Sequence, residues 1–239
     1  MSDMQLKVYE MHVSVYTLRE MDINKTQAAI THLIDSSFMA DYTFCRLHNN
    51  RGFKGYSYSN LTPRGVFRDG KIIFEAGKIY KFRIRSVSKN MVTYLKKVLF
   101  TAITDDFKVL DVNYRVVPRE IFTEFYSLTP VTVSLEEGNY WQDCISVEEY
   151  IKLLQRVLIN GYNQICRKDL PLDTELFSSL EFTKNKAIPV KYKDVIWLTD
   201  KVRVIPANSS VAQEVMYFAI GCGLGMKCSR GFGFLEYKY

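Results

Sequence analysis

An α+β fold built as two tandem β-α-β-β-α-β units is what this sequence predicts, and three observations carry it. Apolar residues alternate with polar ones in several short stretches; they recur at three- and four-residue spacing in others; and the order of the two kinds of stretch repeats once along the 239 residues. That length suits one large domain or two of roughly 120 residues. With 47% of its residues apolar and with 15 Phe, 16 Tyr and 2 Trp, the chain has material for a core throughout, which argues against long disordered stretches.

The first unit reads in order. Leu6 to Leu18 alternates and is rich in Val and Tyr, so it is expected to be a strand. A helix follows, capped by Asn24, with Ile30, Leu33, Ile34 and Phe38 on its buried face. Short strands are expected at Gly55 to Leu61, at Val66 to Phe74 around an Asp69-Gly70 turn, and at Lys78 to Arg85. Ser88 caps a second helix running to about Phe100, and Phe107 to Val117 returns to strand character.

A similar order recurs after Pro118. Glu120 to Ser134 and Asn139 to Gln142 read as a hairpin turned at Glu136, Glu137 and Gly138. Ser146 and Glu149 make a capping box for a helix ending near Ile165. Strands are expected at Leu180 to Thr183 and Lys191 to Pro206. Asn208 or Ser209 then caps a helix to about Ile220, and Gly231 to Tyr239 forms a last strand. Residues 1–119 and 120–239 are thus expected to be two domains of the ferredoxin-like arrangement that RNA-recognition domains also use.

Export and membrane insertion are not expected. The start carries Asp3 and lacks a long apolar stretch, and Val215 to Met226 is too short and glycine-rich to span a bilayer. Five cysteines without a Cys-x-x-Cys pair suit a reducing compartment, so a cytoplasmic protein with free thiols is expected. The net charge of +6 is unevenly spread: between Arg46 and Lys97 the local balance is +11, whereas residues 121–239 balance to −1. Such a concentration is the footprint of a surface that neutralises phosphates, with a merely solvated basic face as the alternative.

Five glycines fall within the thirteen residues from Gly221 to Gly233. Glycine permits positive φ and close approach to the main chain, so clustered amides could cradle a phosphate, aided by Lys227 and Arg230. A plain helix-to-strand connection would need only one terminal glycine. Neither nucleotide motif fits: Gly225 is followed by Met226 where a Walker loop needs Lys, and Met226 stands where the dinucleotide fingerprint needs Gly or Ala.

The ending Ser229-Arg230-Gly231-Phe232-Gly233, after Gly221-x-Gly223, resembles the C-terminal glycine-rich loop of the CRISPR repeat endoribonucleases. Tyr126 to Val133 is similar to that family's second-domain opening strand, and Leu47-His48 with Phe53 to Ser59 extends the likeness across the chain. The resemblance implies an enzyme that binds CRISPR repeat RNA within precursor CRISPR RNA. It would cut without metal or cofactor by 2′-hydroxyl attack and leave a 2′,3′-cyclic phosphate. Other effector subunits, or a second copy of the chain, are further candidate partners. Loss of catalysis within the same superfamily, giving a purely RNA-binding subunit, is the rival expectation, and a general two-domain RNA-binding module is a third.

Such cleavage needs a base for the 2′-hydroxyl, an acid for the 5′-oxygen and a stabiliser for the phosphorane. Of the three histidines, His12 lies inside the first strand, while His48 falls in a loop-prone basic stretch and is the expected acid or base. The resemblance implies that Lys54 stabilises the developing charge. It also implies a tyrosine on the first helix, where this chain has Thr31 and His32; His32 is the expected substitute, with Tyr42 and Tyr56 next. Zinc at Cys45-x-x-His48 is disfavoured because no second ligand pair accompanies it, and no acidic group suggests a two-metal site.

RNA contacts are expected from Arg51 and Arg64, and from Lys81, Arg83 and Arg85, which alternate along one strand face. The loop residues Gly221, Gly223, Gly225, Lys227, Ser229, Arg230, Gly231 and Gly233 complete the set. Tyr56 and Tyr58 could stack on bases or be buried.

Overall fold

The computed structural model describes residues 5–49, 52–133, 135 and 140–239, the side chains of 47–49 excepted. It opens with β1 (Tyr9–Thr17), whose Tyr9, Met11, Val13 and Val15 are buried while Glu10 and His12 lie on the opposite face. After β2 (Met21–Asp22) comes α1 (Ile23–Phe38). Its cap is Asp22, two residues before the expected Asn24, because the Asp22 carboxylate accepts from the Lys25 amide at 2.9 Å. A helix that the sequence reading missed, α2 (Tyr42–Asn49), follows. Asp41 starts it by accepting from the amides of Thr43 and Phe44, and Phe44 anchors it, its ring stacked on both Phe38 and Tyr94. His48 therefore sits in the last turn of a helix instead of in a loop.

Next are β3 (Tyr56–Tyr58) and the hairpin of β4 (Val66–Arg68) and β5 (Lys71–Phe74), turned at Asp69 and Gly70, both at positive φ. That hairpin pairs with β2 and makes a small sheet of its own. The unit closes with β6 (Ile79–Ser86), α3 (Lys89–Leu99) capped by Ser88 as expected, and β7 (Phe107–Val116). Its main sheet runs β3-β6-β1-β7, fully antiparallel.

The second half contains β8 (Glu124–Ser127), α4 (Val147–Cys166) and β9 (Phe177–Phe182), then β10 (Ile188–Tyr192), β11 (Val195–Thr199) and β12 (Val202–Pro206), and finally α5 (Ser210–Cys222) and β13 (Leu235–Lys238). The capping box of Ser146 and Glu149 is complete in both directions. The sheet order is β13-β8-β12-β9. In both main sheets the order is therefore fourth, first, third, second strand of a β-α-β-β-α-β unit, which is the ferredoxin-like order.

Two sequence expectations change here. Residues 141–143 form a 3-10 turn in place of a strand, because Tyr140 and Trp141 both donate to the Asp200 carboxylate, at 2.5 and 2.7 Å, and are drawn across the sheet. The expected turn at 136–138 lies outside the described residues. The stretch from Lys191 to Pro206 breaks into three strands, since β10 and β11 pair only with each other.

Each sheet covers its own apolar cluster, and the halves lock together. Tyr217 of α5 accepts a hydrogen bond from the Val8 amide at 3.1 Å and donates one to the Val117 carbonyl at 2.7 Å. A second lock is ionic. Arg85 is fully buried, with its guanidinium on Glu10 at 2.6 Å, on Glu236 of β13 at 3.2 Å, on the Leu235 carbonyl and over the Phe234 ring. Arg83 joins the same carboxylates. Alternation did place Lys81, Arg83 and Arg85 on one face, but the second unit covers the end that holds Arg83 and Arg85 and leaves Lys81 exposed. Arg85 is thus no RNA contact: its charge is spent inside the protein. No described helix is long and apolar enough to cross a membrane.

Candidate nucleic-acid interface and cutting centre

Lys54 reaches a cleft of roughly 300 Å³ whose walls come from distant parts of the chain. Thr31 and Asp35 enter from α1, Tyr192 and Trp197 from the β10–β11 hairpin, and Ser229 and Arg230 from the glycine-rich loop. Thr31 and Asp35, four residues apart on α1, share the face that looks into it. Burial lowers the pKa of the Lys54 ammonium below its ordinary value; Asp35 opposes that shift, and the like charge of Arg230 adds to it. A half-buried lysine whose proton is held loosely, beside a guanidinium, is a site suited to an anion.

The loop reaches this position because the first unit holds it. The Tyr56 hydroxyl lies 3.5 Å from the Ser229 carbonyl, and the Ser57 hydroxyl donates to the Gly221 carbonyl at 3.3 Å. Tyr58 bonds Thr31 at 2.5 Å, donates to the Gln27 carbonyl, and presses its ring against Gly231. A Cβ on Gly231 would stand 2.7 Å from that ring, at a φ of +86°. At Gly225 it would stand 2.7 Å from the Thr132 carbonyl oxygen. The glycines therefore exist for close packing.

That corrects the expectation for Gly221, Gly223, Gly225, Gly231 and Gly233 as RNA contacts. All five are buried, Gly221 lies within α5 against Val87, and several loop amides are engaged internally. Leu224 donates to Gly233, Met226 to Thr132, and Gly233 to Pro130. What the loop offers a ligand is side chains: exposed Arg230 and half-buried Lys227 and Ser229. Tyr56 and Tyr58 are buried too, so neither is a base-stacking surface.

The other expected residues are scattered. His32 is exposed on α1 and lines a neighbouring cleft with Arg19, Lys25 and Asp106, one residue round the helix from Thr31. Thr31 and Asp35, not His32, are what α1 contributes beside Lys54. The side chain of His48 and all of Arg51 lie outside the described residues. Lys81 and Arg64 are exposed, as an RNA contact requires, and Tyr42 is exposed on α2. His12 lies 3.1 Å from Glu10, within the ionic lock. Sequence reasoning missed Asp35, Tyr192 and Trp197. For Asp35, its four-residue spacing from Thr31 was the available signal; for the two aromatics there was none, because their hairpin was read as part of one strand.

Fold and site together define a tandem ferredoxin-like protein with a cationic cleft walled by both of its units. The sequence model described as "CRISPR associated protein Cas6, C-terminal" matches residues 115–237, just over half of the chain. The chain belongs to the Cas6 family. No curated protein sequence matches it. Among solved structures, an "RAMP protein binding different RNA substrates" is 16% identical with a TM-score of 0.73, covering 97% of this chain and 100% of that one. A Cas6-related protein from Pyrococcus furiosus is 18% identical with a TM-score of 0.65, covering 97% and 98%. A Cas6 product complex is 12% identical with a TM-score of 0.61, covering 97% and 100%. At these identities the likeness establishes the shared fold.

Proposed function

We propose that this protein is a cytoplasmic endoribonuclease that binds CRISPR repeat RNA within precursor CRISPR RNA. It grips the RNA with both units, divided near residues 118–120. It cuts one linkage with the RNA's own 2′-hydroxyl as nucleophile, leaving a 2′,3′-cyclic phosphate and using no metal. The observation that carries this reading is the convergence of Lys54 with Ser229 and Arg230 of the glycine-rich loop in one cleft. Family membership and the product-bound relative give that convergence its context.

Within it, Arg230 and the protonated Lys54 meet the anionic phosphorane. His48 is the acid or base brought by α2. Repeat RNA incubated with the protein in excess EDTA is expected to be cut to a cyclic-phosphate end. Intact RNA, or cutting only after metal is added, overturns the reading. A non-catalytic RNA-binding subunit is the second reading, favoured by one observation: α1 presents Thr31 to the Lys54 cleft where a proton-transfer group is expected. Binding without cutting in the same assay would establish it.

A further inference from the structure

The β10–β11 hairpin is an addition to the β-α-β-β-α-β plan. Its register pairs Tyr192 with Val195, leaving Lys193 and Asp194 as a two-residue turn, with Lys193 at φ 54°. Alternation puts Val190, Tyr192, Val195 and Trp197 on one face. Tyr192, Val195 and Trp197 of that face line the Lys54 cleft. Lys191, Ile196 and Leu198 are exposed on the other.

The two tryptophans of the chain differ in surroundings. Trp141 is buried, donates to Asp200 and stacks on Phe182, as a core residue does. Trp197 is only half-buried, and its company is cationic. The Lys227 ammonium lies 4.1 Å from its ring centroid, and the Arg230 guanidinium 5.7 Å from that of Tyr192. Lys54, Lys193 and Arg230 line the same space. So much positive charge around a flat apolar surface calls for a ligand that is both anionic and flat. A volume of roughly 300 Å³ suits a small ligand such as one nucleotide.

We propose that this cleft seats a single unpaired nucleotide next to the cut linkage, its base stacked on Trp197 and its phosphate between Lys193 and Arg230. This deepens the RNA reading above and rests on it. It makes Trp197 a binding and specificity residue contributed by an insertion in the second unit.

The test uses repeat RNA made uncleavable by a 2′-deoxy sugar at the cut, with 2-aminopurine placed in turn at each position nearby. On binding, the emission of one position is expected to be quenched. W197L, which keeps apolar bulk without a ring, should restore that emission and weaken binding roughly 5- to 150-fold. W197F should retain both quenching and most of the affinity, which separates the stacking role from a folding role. Quenching at no position, or an affinity and quench unaltered by W197L, overturns the proposal. If the unaltered protein binds no repeat RNA, the RNA reading falls and this subsite with it. If it binds but does not cut in EDTA, only the enzymatic reading falls.

Discussion

The side-chain amide of Gln27 donates to the carbonyl of Arg230 at 2.5 Å, across 203 positions of sequence. One hydrogen bond thus ties α1 of the first unit to the terminal loop of the second, a single turn of helix before Thr31. Together with the Tyr58 ring behind Gly231, it fixes where the Arg230 and Ser229 side chains stand relative to Lys54.

Lys54→Ala is expected to slow cutting by roughly 100- to 1,000-fold while leaving repeat affinity within a few-fold, as loss of one charge-stabilising group should. The pH profile gives a sharper check. The useful form of Lys54 is the protonated one and burial lowers its pKa, so the rate should fall on the alkaline side earlier than for an ordinary lysine near 10.5. In Lys54→Arg that limb should vanish, because a guanidinium stays charged. His48→Ala should likewise abolish cutting with binding kept, whereas His32→Ala, in the neighbouring cleft, should leave the rate within about threefold. Single-turnover rates alongside filter binding would settle each.

Gly231→Ala should destabilise the protein by about 1–3 kcal/mol and loosen the loop, because the new methyl meets the Tyr58 ring at a φ of +86°. Gly70→Ala is the control. Its φ is +75°, yet nothing lies within 4 Å of the added carbon, so only about 1 kcal/mol of backbone strain is expected. Equal midpoint shifts in chemical denaturation would refute the packing account.

Glu10 sets an acid limit on stability. Burial alone would raise its pKa, but the guanidiniums of Arg85, Arg115 and Arg83 outweigh that and hold it at about 2 against 4.5. A depressed carboxylate contributes stability that is present above the unfolded pKa and lost as the pH falls from about 4.5 towards 2. The loss over that window should be on the order of 3 kcal/mol. Glu10→Gln should cost about 3–5 kcal/mol at neutral pH by leaving Arg85 buried with less than its charge compensated, and should flatten the acid limb. Urea titrations at several pH values would show both.

RNA affinity should fall with salt, and the slope should identify which cations meet phosphate. Lys81→Ala and Arg64→Ala, both at exposed positions, should each reduce the slope of log affinity against log salt by about 0.7. Arg83→Ala should leave it unchanged, since Glu236 at 2.5 Å and Glu10 at 3.4 Å already engage that guanidinium. A drop in slope for Arg83→Ala would put RNA on the part of the β6 face that the second unit covers.

By itself the sequence determined what depends on neighbours a few residues apart. Alternation gave β1 and β6, the Ser88 and Ser146 caps gave α3 and α4, and the spacing of Leu33, Ile34 and Phe38 gave the buried face of α1. The cluster of glycines marked the loop. Local order also implied two ferredoxin-like units, because a repeated pattern of periods needs no long-range contact to be read.

Tertiary structure decided what those elements meet. Whether Arg85 faces RNA or Glu236, and whether a loop glycine touches phosphate or the Tyr58 ring, depends on how the units pack. The same packing chooses Thr31 over its neighbour His32 for the Lys54 cleft. Side-chain periodicity fixes a direction within one element but carries no information about the surface placed opposite it. That surface comes from residues as distant as Gln27 and Arg230, brought together only when the two sheets close on each other.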